Sequence, residues 1–313
     1  MKRNFKLFIA TTSFGKVSKD PIAMLDKSGF SYEFNNLGKK LSTQHVRDII
    51  SSFDGVIAGT EEYSKETLSY LPRLKVISRL GVGTDNIDLE SAESARIIVK
   101  KCQTTPSLAV AELTLAMFIN ISRNLAIMNQ NMQNQKWEKL MGRLVSNKTL
   151  GIIGLGTIGK KLVEITQGFN LEYLAFDLHQ DREFSEQYNI KYLGLEELLK
   201  KSNLISIHLN SSPSNYKMIN YEKFKLMKNK PILINTSRGE VIDENDLLKA
   251  LDEDLLFGVG LDVFEKEPYD GSIVDYGNVF TTPHIGSYAA EIRNQMEIEA
   301  VENLIIGAEN VTE

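Results

Sequence analysis

One stretch, TLGIIGLGTIGKKLVEITQGFNLEYLAFD at Thr149–Asp177, constrains the fold of this chain more than any other. The apolar run Leu150–Leu155 leads into the glycine turn GLGTIG at 154–159. A helical pattern follows, and then a second apolar run that ends at Asp177. This order predicts a strand, a tight turn, a helix and a second strand, which together make the first half of a dinucleotide-binding unit. The alternative is a glycine turn in a strand–helix–strand unit that binds nothing.

The three glycines of this turn have different expected roles. Gly154 allows the tight turn, Gly156 lets the backbone approach a pyrophosphate, and Gly159 lets the helix pack close to the strand. The helix begins near Thr157 and Ile158, where free N–H groups and the positive end of the helix dipole favour phosphate. The turn therefore predicts a pyrophosphate-binding site.

A carboxylate stands at the expected distance beyond the turn. Asp177 follows Gly159 by 18 residues, close to the spacing of an acid that binds ribose hydroxyls. No Arg or Lys comes directly after Asp177, and a carboxylate repels a 2′-phosphate. The predicted cofactor is therefore NAD.

Composition excludes several other classes of protein. The chain has 313 residues, 42% hydrophobic and 25% charged, with a dispersed net charge of -5, so we expect two globular domains and no nucleic-acid partner. Cys102 is the lone cysteine, and no Cys/His cluster has metal-ligand spacing. The N-terminal apolar run Leu7–Ala10 is too short for a signal peptide, and no run reaches membrane-spanning length. A cytoplasmic location is expected.

The chain alternates strand and helix signals on both sides of one long helical pattern. This alternation predicts parallel sheets covered on both faces. The pattern between them, Ala109–Asn131, carries no proline or glycine and predicts one long helix. Its apolar width exceeds one face, which predicts a contact with a second copy of the chain. The predicted strands are Lys6–Thr12, Ser31–Phe34, Gly55–Gly59, Leu74–Gly83, Leu150–Leu155, Tyr173–Phe176, Leu204–Leu209, Ile232–Thr236, Phe257–Asp262 and Val279–Thr281.

Nicotinamide chemistry needs a proton acceptor and a group that holds the substrate. Two of the four histidines lie at the carboxyl ends of predicted strands: His208 ends one strand and His284 follows another, and position alone does not choose between them. Arg238 follows another strand beside a glycine, where its guanidinium suits a carboxylate. The segment LDVFEKEP offers Asp262, Glu265 and Glu267 as partners for the histidine, and composition leaves these three open.

Six motifs in order resemble those of a known family. They are RLGVGTDNIDL at 79–89, AVAELTLA at 109–116, GIIGLGTIG at 151–159, INTSRGEVIDENDL at 234–247, GLDVFEKEP at 260–268 and TTPHIG at 281–286. The chain resembles the D-isomer-specific 2-hydroxyacid dehydrogenases, and within them the branch of D-3-phosphoglycerate dehydrogenases. The resemblance covers nearly the whole chain.

The resemblance implies three catalytic residues. Arg238 matches the arginine that binds the substrate carboxylate and carbonyl, and Glu267 matches the glutamate that pairs with the catalytic histidine. His284 matches that histidine, which is the general acid and base. By resemblance, therefore, His284 is chosen over His208.

Other positions match binding residues. Asp262 matches a position beside the nicotinamide, Thr236 one that lines the cofactor, and His208 a strand end on the cofactor side. The loop Leu80-Gly81-Val82-Gly83 matches the loop whose backbone amides receive the substrate carboxylate. Gly59 and Thr60 stand where many phosphoglycerate enzymes carry a phosphate-binding arginine.

The family implies an α/β fold of two doubly wound parallel-sheet domains. A Rossmann NAD-binding domain, here 103–285, is inserted into a flavodoxin-like substrate domain, here 1–102 and 286–313. The long helix matches the family's dimer-forming region, so a homodimer is expected. The implied substrates are small 2-hydroxy or 2-keto acids, with D-3-phosphoglycerate, glyoxylate, hydroxypyruvate and other 2-keto acids as the alternatives. The rival from another class is an NAD(H)-sensing regulatory binding protein.

Overall fold

The structure is a computed structural model that describes residues 5–312. The chain divides into two compact units. Unit 1 comprises the described parts of Met1–Thr105 and Tyr288–Glu313, and unit 2 is Pro106–Ser287.

Unit 1 is built on a five-stranded parallel sheet. Its strands are β1 (Lys6–Ile9), β2 (Ser31–Phe34), β3 (Gly55–Ala58), β4 (Val76–Arg79) and β5 (Ile98–Lys101). Their order is β2-β1-β3-β4-β5, so the winding reverses between β1 and β3. The helices are α1 (Asp20–Ser28), α2 (Thr43–His45), α3 (Lys65–Ser69), α4 (Leu89–Ser94) and the C-terminal α12 (Ala290–Thr312).

Unit 2 is built on a seven-stranded parallel sheet. Its strands are β6 (Thr149–Ile153), β7 (Glu172–Phe176), β8 (Lys191–Tyr192), β9 (Leu204–Ile207), β10 (Ile232–Asn235), β11 (Gly258–Leu261) and β12 (Val279–Thr281). Their order is β12-β11-β10-β9-β6-β7-β8, which places the reversal between β6 and β9. The helices are α5 (Ser107–Arg123), α6 (Leu125–Gln133), α7 (Thr157–Ile165), α8 (Arg182–Gln187), α9 (Leu195–Lys201), α10 (Tyr221–Phe224) and α11 (Glu244–Asp252).

The central strands of unit 2 explain why the sequence adopts this sheet. Every residue of β9, β10 and β11 is buried, as expected for parallel strands covered by helices on both faces. The predicted fold class, two doubly wound parallel sheets, is confirmed. The short edge strand β8 and the strand β5 were not among the predicted strands.

The prediction of one long helix over Ala109–Asn131 is wrong. The chain forms α5 and α6, which meet at a bend of 64°. Asn124 lies between them with φ 52° and ψ 37°, a left-handed conformation that asparagine tolerates and that ends α5. No single helix among the described residues is long and apolar enough to cross a membrane, and α5 and α6 reach that size only when joined across their bend.

Candidate active site

The glycine turn lies between β6 and α7, at the carboxyl edge of the unit 2 sheet. Gly154 has φ 94°, and a Cβ there would lie 2.6 Å from the carbonyl oxygen of His208. A Cβ on Gly159 would lie 2.6 Å from the carbonyl oxygen of Gly154. At Gly156, by contrast, a Cβ would meet no atom of the described residues within 4 Å. Two of the glycines therefore allow close packing, and the third leaves open space beside the N-terminus of α7.

Asp177 is fixed next to this turn. It follows β7, and its Oδ2 accepts a hydrogen bond from the backbone N–H of Leu155 at 2.7 Å. Its Oδ1 accepts one from the N–H of His179 at 2.8 Å. The carboxylate and the glycine turn therefore form one rigid group at the reversal point of the sheet.

His208 and Thr236 follow β9 and β10 at the same edge. The Nε2 of His208 lies 2.7 Å from Ser206 Oγ, and its Nδ1 is buried without a hydrogen-bond partner among the described residues. Burial lowers the pKa of His208 to about 3, because desolvation disfavours the charged ring. A ring that stays neutral at physiological pH is a poor general acid. Thr236 is buried with its Oγ1 3.1 Å from Thr114 Oγ1.

His284 and Glu267 are in direct contact. The Nδ1 of His284 lies 2.8 Å from Glu267 Oε2, and 39% of the His284 side chain is exposed. Glu267 Oε1 accepts the N–H of Phe264 at 3.3 Å, which helps to orient the carboxylate. Because Glu267 occupies Nδ1, Nε2 is the nitrogen of His284 available for proton exchange.

The backbone of His284 adopts a rare conformation. Its φ is 54°, and its N–H donates to the carbonyl oxygen of Thr282 at 3.0 Å, which closes a tight turn. Non-glycine residues in this region are uncommon, and they cluster at functional sites because surrounding contacts must hold them.

Asp262 supplies those contacts. Its side chain is only 1% exposed, and its Oδ1 accepts the hydroxyl of Thr282 at 2.6 Å and the N–H of Ile285 at 2.7 Å. Its Oδ2 accepts the N–H of Gly286 at 2.8 Å. Burial raises the pKa of Asp262, and these hydrogen bonds oppose the shift. Its place beside the nicotinamide stays a prediction. Its described contacts brace the turn that carries His284, a role that the sequence did not reveal.

Arg238 lies in a turn that follows β10. The turn is held by Asn235, whose Nδ2 donates to the carbonyl oxygen of Arg238 at 2.8 Å and whose Oδ1 accepts the N–H of Ser237 at 3.0 Å. The guanidinium Nη1 donates to the carbonyl oxygen of Ser237 at 2.8 Å. Gly239 is packed so tightly that a Cβ there would collide with the backbone of Phe264. The position of Arg238 is therefore set by a rigid backbone.

The loop Leu80–Gly83 belongs to unit 1, where it follows β4. The N–H of Leu80 donates to the carbonyl oxygen of Ala58 at 2.9 Å, and the N–H of Cys102 donates to that of Gly81 at 3.0 Å. Burial raises the pKa of Cys102 to about 11, so its thiol stays protonated and unreactive at neutral pH.

A nucleotide-type glycine turn, a fixed acid and a histidine–carboxylate pair define the class of an NAD-dependent oxidoreductase. A family model described as "D-isomer specific 2-hydroxyacid dehydrogenase, NAD binding domain" matches residues 115–286. A glyoxylate reductase from Thermococcus litoralis is 37% identical over 256 residues, which cover 79% of this chain and 77% of that protein. The chain belongs to the D-isomer-specific 2-hydroxyacid dehydrogenase family.

Two further relatives show the breadth of this family. A D-3-phosphoglycerate dehydrogenase from Methanocaldococcus jannaschii is 32% identical over 302 residues, which cover 94% of this chain but 57% of that protein. The crystal structure of a D-lactate dehydrogenase from Aquifex aeolicus complexed with NAD and lactic acid is 27% identical. It matches with a TM-score of 0.80 over 95% of this chain and 93% of that one. NAD is thus named both in the matched domain model and in this neighbouring structure, while the substrates named for the relatives differ.

The residues of unit 2 fit this cofactor. The open space at Gly156 lies at the N-terminus of α7, where no side chain of residues 5–312 makes a capping hydrogen bond, so backbone N–H groups there suit a pyrophosphate. Asp177 is held beside the turn as a ribose-binding carboxylate would be.

Proposed function

We propose that the protein catalyses reversible hydride transfer between NAD(H) and a small 2-hydroxy or 2-keto acid, with glyoxylate as the first substrate to test. The observation that carries the proposal is the 2.8 Å contact between His284 Nδ1 and Glu267 Oε2, in the same unit as the glycine turn. The glyoxylate reductase relative supports the choice of substrate.

Each of these residues has a defined role in the proposed reaction. During oxidation, Nε2 of His284 accepts the proton of the substrate hydroxyl, and Glu267 stabilises the imidazolium that forms. Bound NAD supplies the hydride acceptor. During reduction, the imidazolium of His284 donates its proton to the carbonyl oxygen. Arg238 binds the substrate carboxylate and polarises the carbonyl, and the amides of Leu80–Gly83 receive the carboxylate.

A substrate screen tests this function. NADH oxidation is followed by absorbance with glyoxylate, hydroxypyruvate, pyruvate and 3-phosphohydroxypyruvate, and NADPH replaces NADH in a parallel series. We expect kcat/KM of at least about 10⁴ M⁻¹s⁻¹ for one unphosphorylated acid, and a lower value with NADPH. Tight NADH binding without oxidation by any of the acids would favour the NAD(H)-sensing alternative instead.

We also propose that the chain forms a homodimer through the segment that follows α5. Large apolar side chains are exposed along it, and two of them, Trp137 and Met141, are 79% and 92% exposed. The others are Leu125, Met132 and Leu144. Such a run of exposed apolar residues is typical of an interaction surface. Light scattering should give about twice the chain mass of 35.2 kDa, and Met141→Glu should shift it toward a single chain. A single-chain mass for the wild type would contradict the proposal.

A further inference from the structure

A lysine near the start of α7 lies where the helix dipole disfavours a positive charge. Lys160 is the fourth residue of α7, and the N-terminus of a helix attracts negative rather than positive groups. Its ammonium forms an ion pair with Oδ2 of Asp181 and lies over the Phe184 ring, 5.2 Å from the ring centroid. Because a partly exposed ion pair contributes little to folding, stability alone does not explain this arrangement.

Asp181, the partner of this lysine, is fixed as the N-cap of α8. Its Oδ1 accepts the N–H of Phe184 at 3.1 Å, and its own N–H donates to the hydroxyl of Tyr192 at 3.0 Å. Burial raises the pKa of Tyr192, and the carboxylate charge of Asp177 adds to that rise while the ammonium of Lys160 opposes it. One oxygen of Asp181 therefore caps a helix, and the other holds Lys160.

The segment from Asp177 to Asp181 is attached to the glycine turn and its helix at both ends. Asp177 accepts the N–H of Leu155 at 2.7 Å, just before α7 begins, and Asp181 is paired with Lys160 within α7. Between them, the N–H of His179 donates to Asp177 Oδ1 at 2.8 Å. The ammonium of Lys160 therefore lies on the side of α7 that faces the segment carrying the predicted ribose-binding acid.

We propose that Asp181 determines cofactor specificity: by pairing with Lys160, it keeps the ammonium from binding the 2′-phosphate of NADP(H). A 2′-phosphate adds negative charge beside Asp177, and a nearby cation is the group that offsets this repulsion. In the wild type the ammonium of Lys160 is already held by Asp181, so the phosphate meets two acids and no released cation from this pair. The inference rests on the preference for NADH over NADPH in the proposed function.

The test compares Asp181→Asn with Glu164→Gln. Asn is also a good N-cap, so D181N keeps the start of α8 and removes the charge that holds Lys160. E164Q is the matched control, because Glu164 pairs with Lys161, the next residue of the same helix. NADH and NADPH are titrated into each protein by fluorescence. We expect the ratio of the Kd for NADPH to that for NADH to fall about fivefold in D181N, with the Kd for NADH changed less than about twofold. E164Q should match the wild type in both.

A double variant shows whether Lys160 is the group that D181N releases. Lys160→Met keeps an unbranched apolar side chain and removes the ammonium. The ratio of the two Kd values in K160M/D181N should stay within about twofold of that in K160M alone, because no ammonium is left to bind the 2′-phosphate. A ratio in the double variant as low as that in D181N would overturn the inference.

Binding measurements separate this inference from the proposed function. If D181N and E164Q give the same ratio, the inference is wrong. Equal affinity of the wild type for the two cofactors would contradict the proposed preference for NADH, and no turnover of any 2-keto acid would contradict the proposed reaction. In either case, the change in ratio between E164Q and D181N still decides the role of Asp181. Asp181→Ser, a second neutral N-cap, covers the case in which D181N does not fold, and the same fall in the ratio is expected.

Discussion

The two units carry glycines at the carboxyl edges of similar parallel sheets and use them in opposite ways. In unit 2, the space that a Cβ on Gly156 would fill is open. In unit 1, the corresponding space at Gly59 is taken by the carboxylate of Glu61, and at Gly81 by the guanidinium of Arg79. Glycine thus makes room for a ligand in one unit and for the protein's own side chains in the other. The atoms around the missing Cβ distinguish the two uses, and the sequence pattern alone does not.

The largest effect expected from this difference is on cofactor binding. Gly156→Val places a side chain in the open space beside α7, so the Kd for NADH should rise about 30-fold. The free energy of unfolding should change by less than about 1 kcal/mol, because a Cβ at this position meets no atom of the described residues within 4 Å. Gly168→Val, at another open glycine, is the control for fluorescence titration and urea denaturation. Unchanged NADH affinity in G156V would show that the open space at Gly156 does not receive the cofactor.

In unit 1, a side chain added at a glycine should lower the stability of the protein and leave cofactor binding unchanged. A Cβ on Gly59 would lie 2.9 Å from Glu61 Oε2 and 3.0 Å from Thr11 Cγ2. The carboxylate cannot easily retreat, because its other oxygen is hydrogen-bonded and the side chain is buried. Gly59→Ala should therefore lower the free energy of unfolding by about 1–3 kcal/mol and leave the Kd for NADH unchanged. Gly168→Ala serves as the control, and equal stability of the two variants would show that Gly59 is not under this constraint.

A further effect, small at any one pH near neutrality, concerns His208, whose carbonyl oxygen faces Gly154. Its pKa is about 3 in the folded chain and about 6.5 when unfolded, so between these values the unfolded chain binds the proton more readily. The contribution of the neutral His208 ring to the free energy of unfolding is fully present above about pH 6.5 and is lost as pH falls toward about 3. Within this range the free energy of unfolding falls by at most about 1.4 kcal/mol per pH unit.

The comparison of His208→Asn with His179→Asn isolates this contribution. Urea denaturation of the NAD-free protein at several pH values should show a shallower acid loss of stability in H208N than in the wild type. H179N, changed at an exposed histidine, should follow the wild type. Parallel curves for all three proteins would mean that His208 titrates normally.

Local patterns predicted much of this molecule. The turn at Gly154–Gly159 and the acid at Asp177 lie within one strand–helix–strand unit, and their hydrogen bond at Leu155 joins residues only 22 positions apart. The runs of β2 and β12 were predicted to the residue, although both are edge strands that are not buried. Turn-forming residues mark their ends, with Asn35 directly after β2 and Asn278 directly before β12.

The end of α5 and the carboxylate partner of the histidine could not be predicted from local patterns, because they depend on backbone conformation and on contacts between distant segments. Nothing in the helical periodicity marks Asn124 as the end of α5, since asparagine is tolerated both in a helix and in the left-handed region. The sequence left Asp262, Glu265 and Glu267 open as partners of the histidine. The choice depends on how the turn at His284 meets the segment after β11, which only the fold brings together.

The most direct test of the account is His284→Asn, measured in one preparation for both NADH binding and glyoxylate reduction. If unit 2 binds NADH through its open glycine turn and His284 only transfers the proton, kcat should fall by about 10²- to 10⁴-fold. The Kd for NADH should stay within about twofold of the wild type. Turnover equal to that of the wild type would contradict the account.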